Sequence, residues 1–332
     1  MKAFIALTLV LSIVAANNDQ VFKDARSSVS NDDHKAVIDE LEVVAELPHF
    51  SYYFKKYIGH DDYGFLFEVT PIRGGQLILM QVLYTFTEPT VELESSLKKF
   101  KSTVTPNNLT LINHQFFKRS LTLGGEAKKD MWFVVLTFDR LIQRLDSPLT
   151  LLDSSADENE RFELLMKPVR EIFKIFESVS QDINVKTQKF NFADLFLVRT
   201  NDENNDNPTV KLLMLPGNPQ YLCNVFDCLN KVSQDKDIDL SDLESVILHF
   251  INANSSSLIS ANGDNHELAS KVIDSIQELF ADLKKTLPNL TKSSQNNIDQ
   301  WEEEAAPGID EEAIYQEEFL STGLVQHKKI LI

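Results

Sequence analysis

The chain has 332 residues, 43% hydrophobic and 25% charged, the proportions of a globular protein with room for one or two domains. Its 50 acidic and 32 basic residues give a formal net charge of −18 at pH 7. That sign repels nucleic acid and anionic lipid headgroups, so neither is an expected partner; it suits a soluble protein facing cationic partners or binding calcium weakly.

Lys2, the apolar run Ala3–Val14 and the small residues Val14-Ala15-Ala16 have the form of an export signal over residues 1–16. The run is too short to cross a bilayer and no stop-transfer segment follows it. The expected location is therefore outside the cell or in the lumen of the secretory pathway, with no integral membrane segment. Residues 17–33 are polar and patternless, which predicts a flexible lead-in.

The globular region is expected over 34–291, divisible into a sheet-containing part, 34–216, and a helical part, 217–291. A helix is predicted from His34 to Leu47, with Val37, Ile38, Leu41, Val44 and Ala45 on one face and Pro48 at its end. Phe50, Tyr53, Phe54 and Tyr57 then recur at helical spacing, which predicts a short aromatic helix closed by Gly59. Phe65–Thr70 and Leu77–Phe86 flank Pro71-Ile72-Arg73-Gly74-Gly75 and read as a hairpin. Val91–Lys101 is helical by its Leu93, Leu97 and Phe100, and Leu109–Phe117 pairs with Met131–Phe138 around Gly124-Gly125.

A long helix carries Phe162, Leu165, Val169, Ile172, Phe173, Phe176 and Val179, with Pro168 either kinking it or opening it. Asp194–Thr200 and Thr209–Leu215 form a third strand pair across an Asn- and Asp-rich turn. Helices are predicted over Gln220–Val232, Ser241–Asn252 and His266–Leu287. Residues 292–332 form an acidic, loosely ordered tail, with no basic residue between Lys292 and His327. Strand pairs with short turns imply antiparallel pairing. The fold class is thus α+β: an antiparallel sheet built from hairpins with packed helices, followed by a helical C-terminal third.

Leu77–Phe86 and Met131–Phe138 are apolar on both faces. A sheet solvated on one side would alternate more cleanly. Both strands should therefore be covered on both faces, by helices or by an apolar ligand or partner.

Cys223 and Cys228 are the only cysteines, and in an oxidising compartment they should form a disulfide. So small a ring stabilises by only about 2–3 kcal/mol. It would staple the turn Leu215-Pro216-Gly217-Asn218-Pro219 to the segment after it. Asn108, Asn254 and Asn289 each open an N-glycosylation triplet, Asn254 and Asn289 in the more loop-like contexts.

Catalytic and metal templates fail one after another. Asp235-Lys236-Asp237-Ile238-Asp239 starts like a calcium loop, but Leu240 stands where glycine is needed and Val246 where the bidentate glutamate belongs. Asp202, Asn204 and Asp206 have the same start, with Leu213 in the final position. His60-Asp61-Asp62, a histidine followed by two carboxylates, reads as a surface turn; His249 reads as a packing or surface residue. There is no nucleophile elbow and no phosphate-binding glycine loop. No cofactor, metal ligand or catalytic residue is therefore assigned. The expectation is a secreted, non-enzymatic binding protein acting through surface contacts with an unidentified protein partner. The alternatives are a carrier of an apolar small ligand or lipid, and an extracellular hydrolase using carboxylates that converge in space.

Overall fold

The computed structural model describes residues 18–61, 64–102, 106–122, 128–149, 152, 157–181, 190, 192–199, 208–213, 240–254 and 266–287. The chain divides into two compact units, one built mainly from residues up to Ile142 and one from Gln143–Leu197, Thr209–Leu213 and the residues from Ser233 onward.

The first unit opens with two helices, α1 (18–28) and α2 (Asp32–Ala45). The predicted flexible lead-in is thus replaced by helix: Val21, Phe22, Ala25 and Val29 recur at helical spacing and are all buried. Four apolar residues among polar ones make a stripe too narrow to stand out in the sequence, yet wide enough to dock. Asn31 caps α2, its side chain accepting the Asp33 N–H at 2.8 Å, and Asp32 and Asp33 occupy the first turn, where the helix dipole favours negative charge.

A second correction falls on the aromatic segment, which is a strand, β1 (Tyr52–Asp61). It pairs antiparallel with β2 (Gly64–Pro71), with register shifts between Phe54 and Lys56 and between Tyr57 and Gly59. An extra residue in a strand turns a spacing of two into a spacing of three. Phe54 and Tyr57 therefore share a face of the strand while imitating a helical repeat.

The first expected hairpin is present: β2 pairs with β3 (Ile78–Thr85), Phe65 opposite Val82 and Val69 opposite Ile78. After α3 (Val91–Ser102), β4 (Leu111–Leu121) pairs antiparallel with β5 (Lys129–Arg144), and β5 also pairs antiparallel with β3. The strand order is β1-β2-β3-β5-β4. One face carries Phe54, Phe67, Met80, Val82, Phe117 and Phe133 and shares a hydrophobic cluster with Phe22, Ile38 and Leu41 of α1 and α2. Leu66, Leu79, Leu83, Val134 and Leu136 of the other face are also buried, and α3 packs with β4. The two-faced apolar strands are thus buried on both sides, as their composition demands.

In the second unit α4 (Glu158–Gln181) buries Phe162, Leu165, Val169, Ile172 and Phe176, with Pro168 well inside the helix rather than at its start. The proline removes the N–H that would have met the Leu164 carbonyl. Beyond a short 3-10 turn (Phe192–Asp194), β6 (Leu195–Arg199) and β7 (Pro208–Leu212) are neighbouring strands. Two helices follow, α5 (Leu240–Ala253) and α6 (His266–Thr286), and both pack against α4. Phe173 of α4 meets Phe280 of α6 edge-on, ring centroids 4.8 Å apart. The helix expected at Gln220–Val232 and the acidic tail lie outside the described residues. The architecture is α+β. Among the described residues no helix is long and apolar enough to cross a membrane.

Candidate functional site

Of the residues singled out from the sequence, Cys223, Cys228 and Asn289 lie outside the described residues. Asn108 is half-buried just ahead of β4. Asn254 corrects an expectation: it is completely buried at the end of α5, not in an open loop. Its Oδ1 accepts the Leu149 N–H at 2.8 Å and its Nδ2 donates to the Phe250 carbonyl at 2.8 Å. The amide nitrogen that a glycan would occupy is thus committed inside the fold. His249, read from the sequence as a packing or surface residue, is exposed on α5 with its ring stacked on Phe192 at 5.9 Å.

One cluster in the first unit surrounds the other histidine noted from the sequence. His60, near the end of β1, has its Nδ1 3.2 Å from the Tyr57 hydroxyl. Its ring faces His34 at 6.5 Å between centroids. His34 also meets Phe65 of β2 at 6.2 Å and Tyr84 of β3 at 6.3 Å, both edge-on, and Phe65 and Tyr84 stack on each other at 6.0 Å. Sequence reasoning missed His34 as a cluster member. The local sign was a histidine directly after Asp32-Asp33 in the first turn of an apolar-faced helix.

Electrostatics oppose charge on two members of this cluster, His34 and Tyr84. Burial, then His60, holds the His34 imidazole below its ordinary range, against a weaker pull from Asp33. Burial, then Asp33, pushes the Tyr84 phenol up. The His34 Nε2 is buried and meets no hydrogen-bond partner among the described residues. The cluster thus combines two imidazoles with the phenols of Tyr57 and Tyr84.

Interior carboxylates serve the backbone instead. Asp139 accepts the Thr110 N–H at 3.0 Å, and Glu171 of α4 accepts the Val210 N–H. Among the described residues no group of three or more His, Cys, Asp or Glu side chains is arranged to hold a metal ion. The space between α1 and the sheet is occupied by aromatic rings: Phe22 lies 4.8 Å from Phe54 and 6.1 Å from Phe67, and Phe54 lies 4.9 Å from Phe67. No protein-family model matches this chain, and no curated protein matches it either.

Proposed function

We propose that this is an exported, non-enzymatic binding protein that works through its surface, on an antiparallel sheet followed by a helical C-terminal third. The observation that carries the reading is the aromatic filling between α1 and the sheet. A carrier of an apolar ligand would hold that space open; here Phe22, Phe50, Phe54 and Phe67 pack it. What remains for recognition is the outside of the molecule, where a net charge of −18 favours a basic protein partner and disfavours nucleic acid.

Native mass spectrometry of protein recovered from culture medium tests this reading. The expected species is the chain lacking residues 1–16, with Cys223 and Cys228 bridged, no lipid-sized adduct, and a protein partner that high salt releases. A tightly held apolar adduct would establish the carrier instead. Recovery from the cytosol with both thiols free would remove the exported binding protein altogether.

A further inference from the structure

Two histidines of the first unit lie on opposite faces of its sheet, one on a helix and one on a strand. His34 of α2 lies against Phe65 and Tyr84, on the face that carries Val82 and Phe133. His114 of β4 stands opposite Leu136, itself opposite Gln81, and so belongs to the other face, where α3 packs with β4. Each ring is partly buried, and each has one buried nitrogen that meets no acceptor among the described residues: Nε2 in His34 and Nδ1 in His114.

We propose that His34 and His114 form an acid-sensitive pair of latches: α2 and α3 stay docked on the sheet while both rings are neutral, and protonation of the rings releases the helices. A protonated imidazole donates from both nitrogens, so each buried nitrogen would carry a hydrogen with nothing among the described residues to receive it. At His34, the charged group acting on the ring from α2 is Asp33, with the Asp32–Lys35 ion pair (2.8 Å) in the same turn of the helix. His60 faces it from β1 with the Tyr57 hydroxyl behind, the uncharged Phe65 from β2, and Tyr84 from β3. Only Asp33 favours a charged ring; His60 and the helix N-terminus oppose it. At His114, α3 presents Glu94, Lys98 and Lys101, and Glu94 is already paired to Lys98 at 2.7 Å. Phe116 stands beside the ring on β4 itself.

Burial holds both imidazoles below their ordinary range, with His60 reinforcing this at His34 and Lys101 at His114. The unfolded chain binds these protons from about pH 6.5 downward and the folded chain resists them. Stability from this source is therefore complete above that pH and declines as the pH falls. Glu42, Glu68 and Glu171 act in the opposite sense, because burial raises each of their pKa values and acid relieves the cost of their charges.

The test uses the full chain. NMR titration of the histidine ring protons is expected to place His34 and His114 below the ordinary imidazole range. Hydrogen exchange between about pH 8 and about pH 5 is expected to show α2 and α3 losing protection before α4. In the His34→Gln/His114→Gln double variant, the several-fold acid loss in folding equilibrium constant is expected to shrink. Ordinary or raised titration of both rings, simultaneous loss of protection in α2, α3 and α4, or an acid response identical in wild type and double variant would each overturn the proposal. Should the variant not fold, the ring titration and exchange order of the wild type decide alone.

Discussion

Asn254 holds Leu149: the Asn254 Oδ1 accepts the Leu149 N–H at 2.8 Å across 105 residues of sequence, while its Nδ2 returns to the Phe250 carbonyl. One amide thereby closes the end of α5 and fixes the chain ahead of α4. With both ends of the amide engaged at zero exposure, Asn254→Ala leaves buried backbone groups unsatisfied. The expected cost is about 1–3 kcal/mol in denaturant unfolding. Peptide mapping of folded protein expressed through a eukaryotic secretory pathway should find Asn254 unglycosylated; a glycan there would refute this placement.

Phe22 tests whether α1 belongs to the core. It is fully buried and touches Phe54 and Phe67, so Phe22→Ala should cost about 3–5 kcal/mol. A mobile lead-in would show no change in the unfolding midpoint.

Gly64 and Gly74 separate two reasons for glycine. At Gly64, with φ +145°, an added Cβ would stand 2.2 Å from the Val82 carbonyl oxygen. Gly64→Ala should therefore disrupt the β2–β3 ladder at a cost of about 2–4 kcal/mol. Gly74, with φ +87°, faces open space, so Gly74→Ala meets only the backbone penalty of about 1–2 kcal/mol. Equal losses in thermal unfolding would contradict the close approach at Gly64.

Glu171 accepts the Val210 N–H, and burial raises its pKa against the opposing pull of that bond and of Lys167 and Lys174. Glu171→Gln keeps an acceptor and removes the buried charge, so it should be neutral or stabilising at pH 7. Glu171→Ala abandons the N–H and should cost about 1–3 kcal/mol. Because the folded-state value is raised, the cost of the wild-type charge fades as pH falls through it. Any advantage of the Gln variant should fade likewise in unfolding measured across acidic pH.

The elements that could be read in advance share one property: their periodicity is local and uninterrupted. The apolar stripes of α2 and α4 state their own geometry, because residues three and four apart meet on the same helix. β1 was misread because its bulges disguised a two-residue repeat, and α1 because its apolar stripe was short. Of the candidate site, His60 was visible through its neighbouring aspartates. His34 also follows two aspartates, but its meeting with His60 was not legible, since it depends on where α2 lies against the sheet.

The sequence by itself determined the α+β class, most strand and helix positions, the acidic character and the need for β3 and β5 to be covered on both faces. These follow from composition and short-range patterning, where each residue acts on neighbours a turn or a strand pair away. Only the tertiary structure decided that Asn254 is interior, that Phe22 fills the core and that His34 meets His60. Such contacts join residues far apart in the chain, and no local rule specifies which buried surfaces will meet.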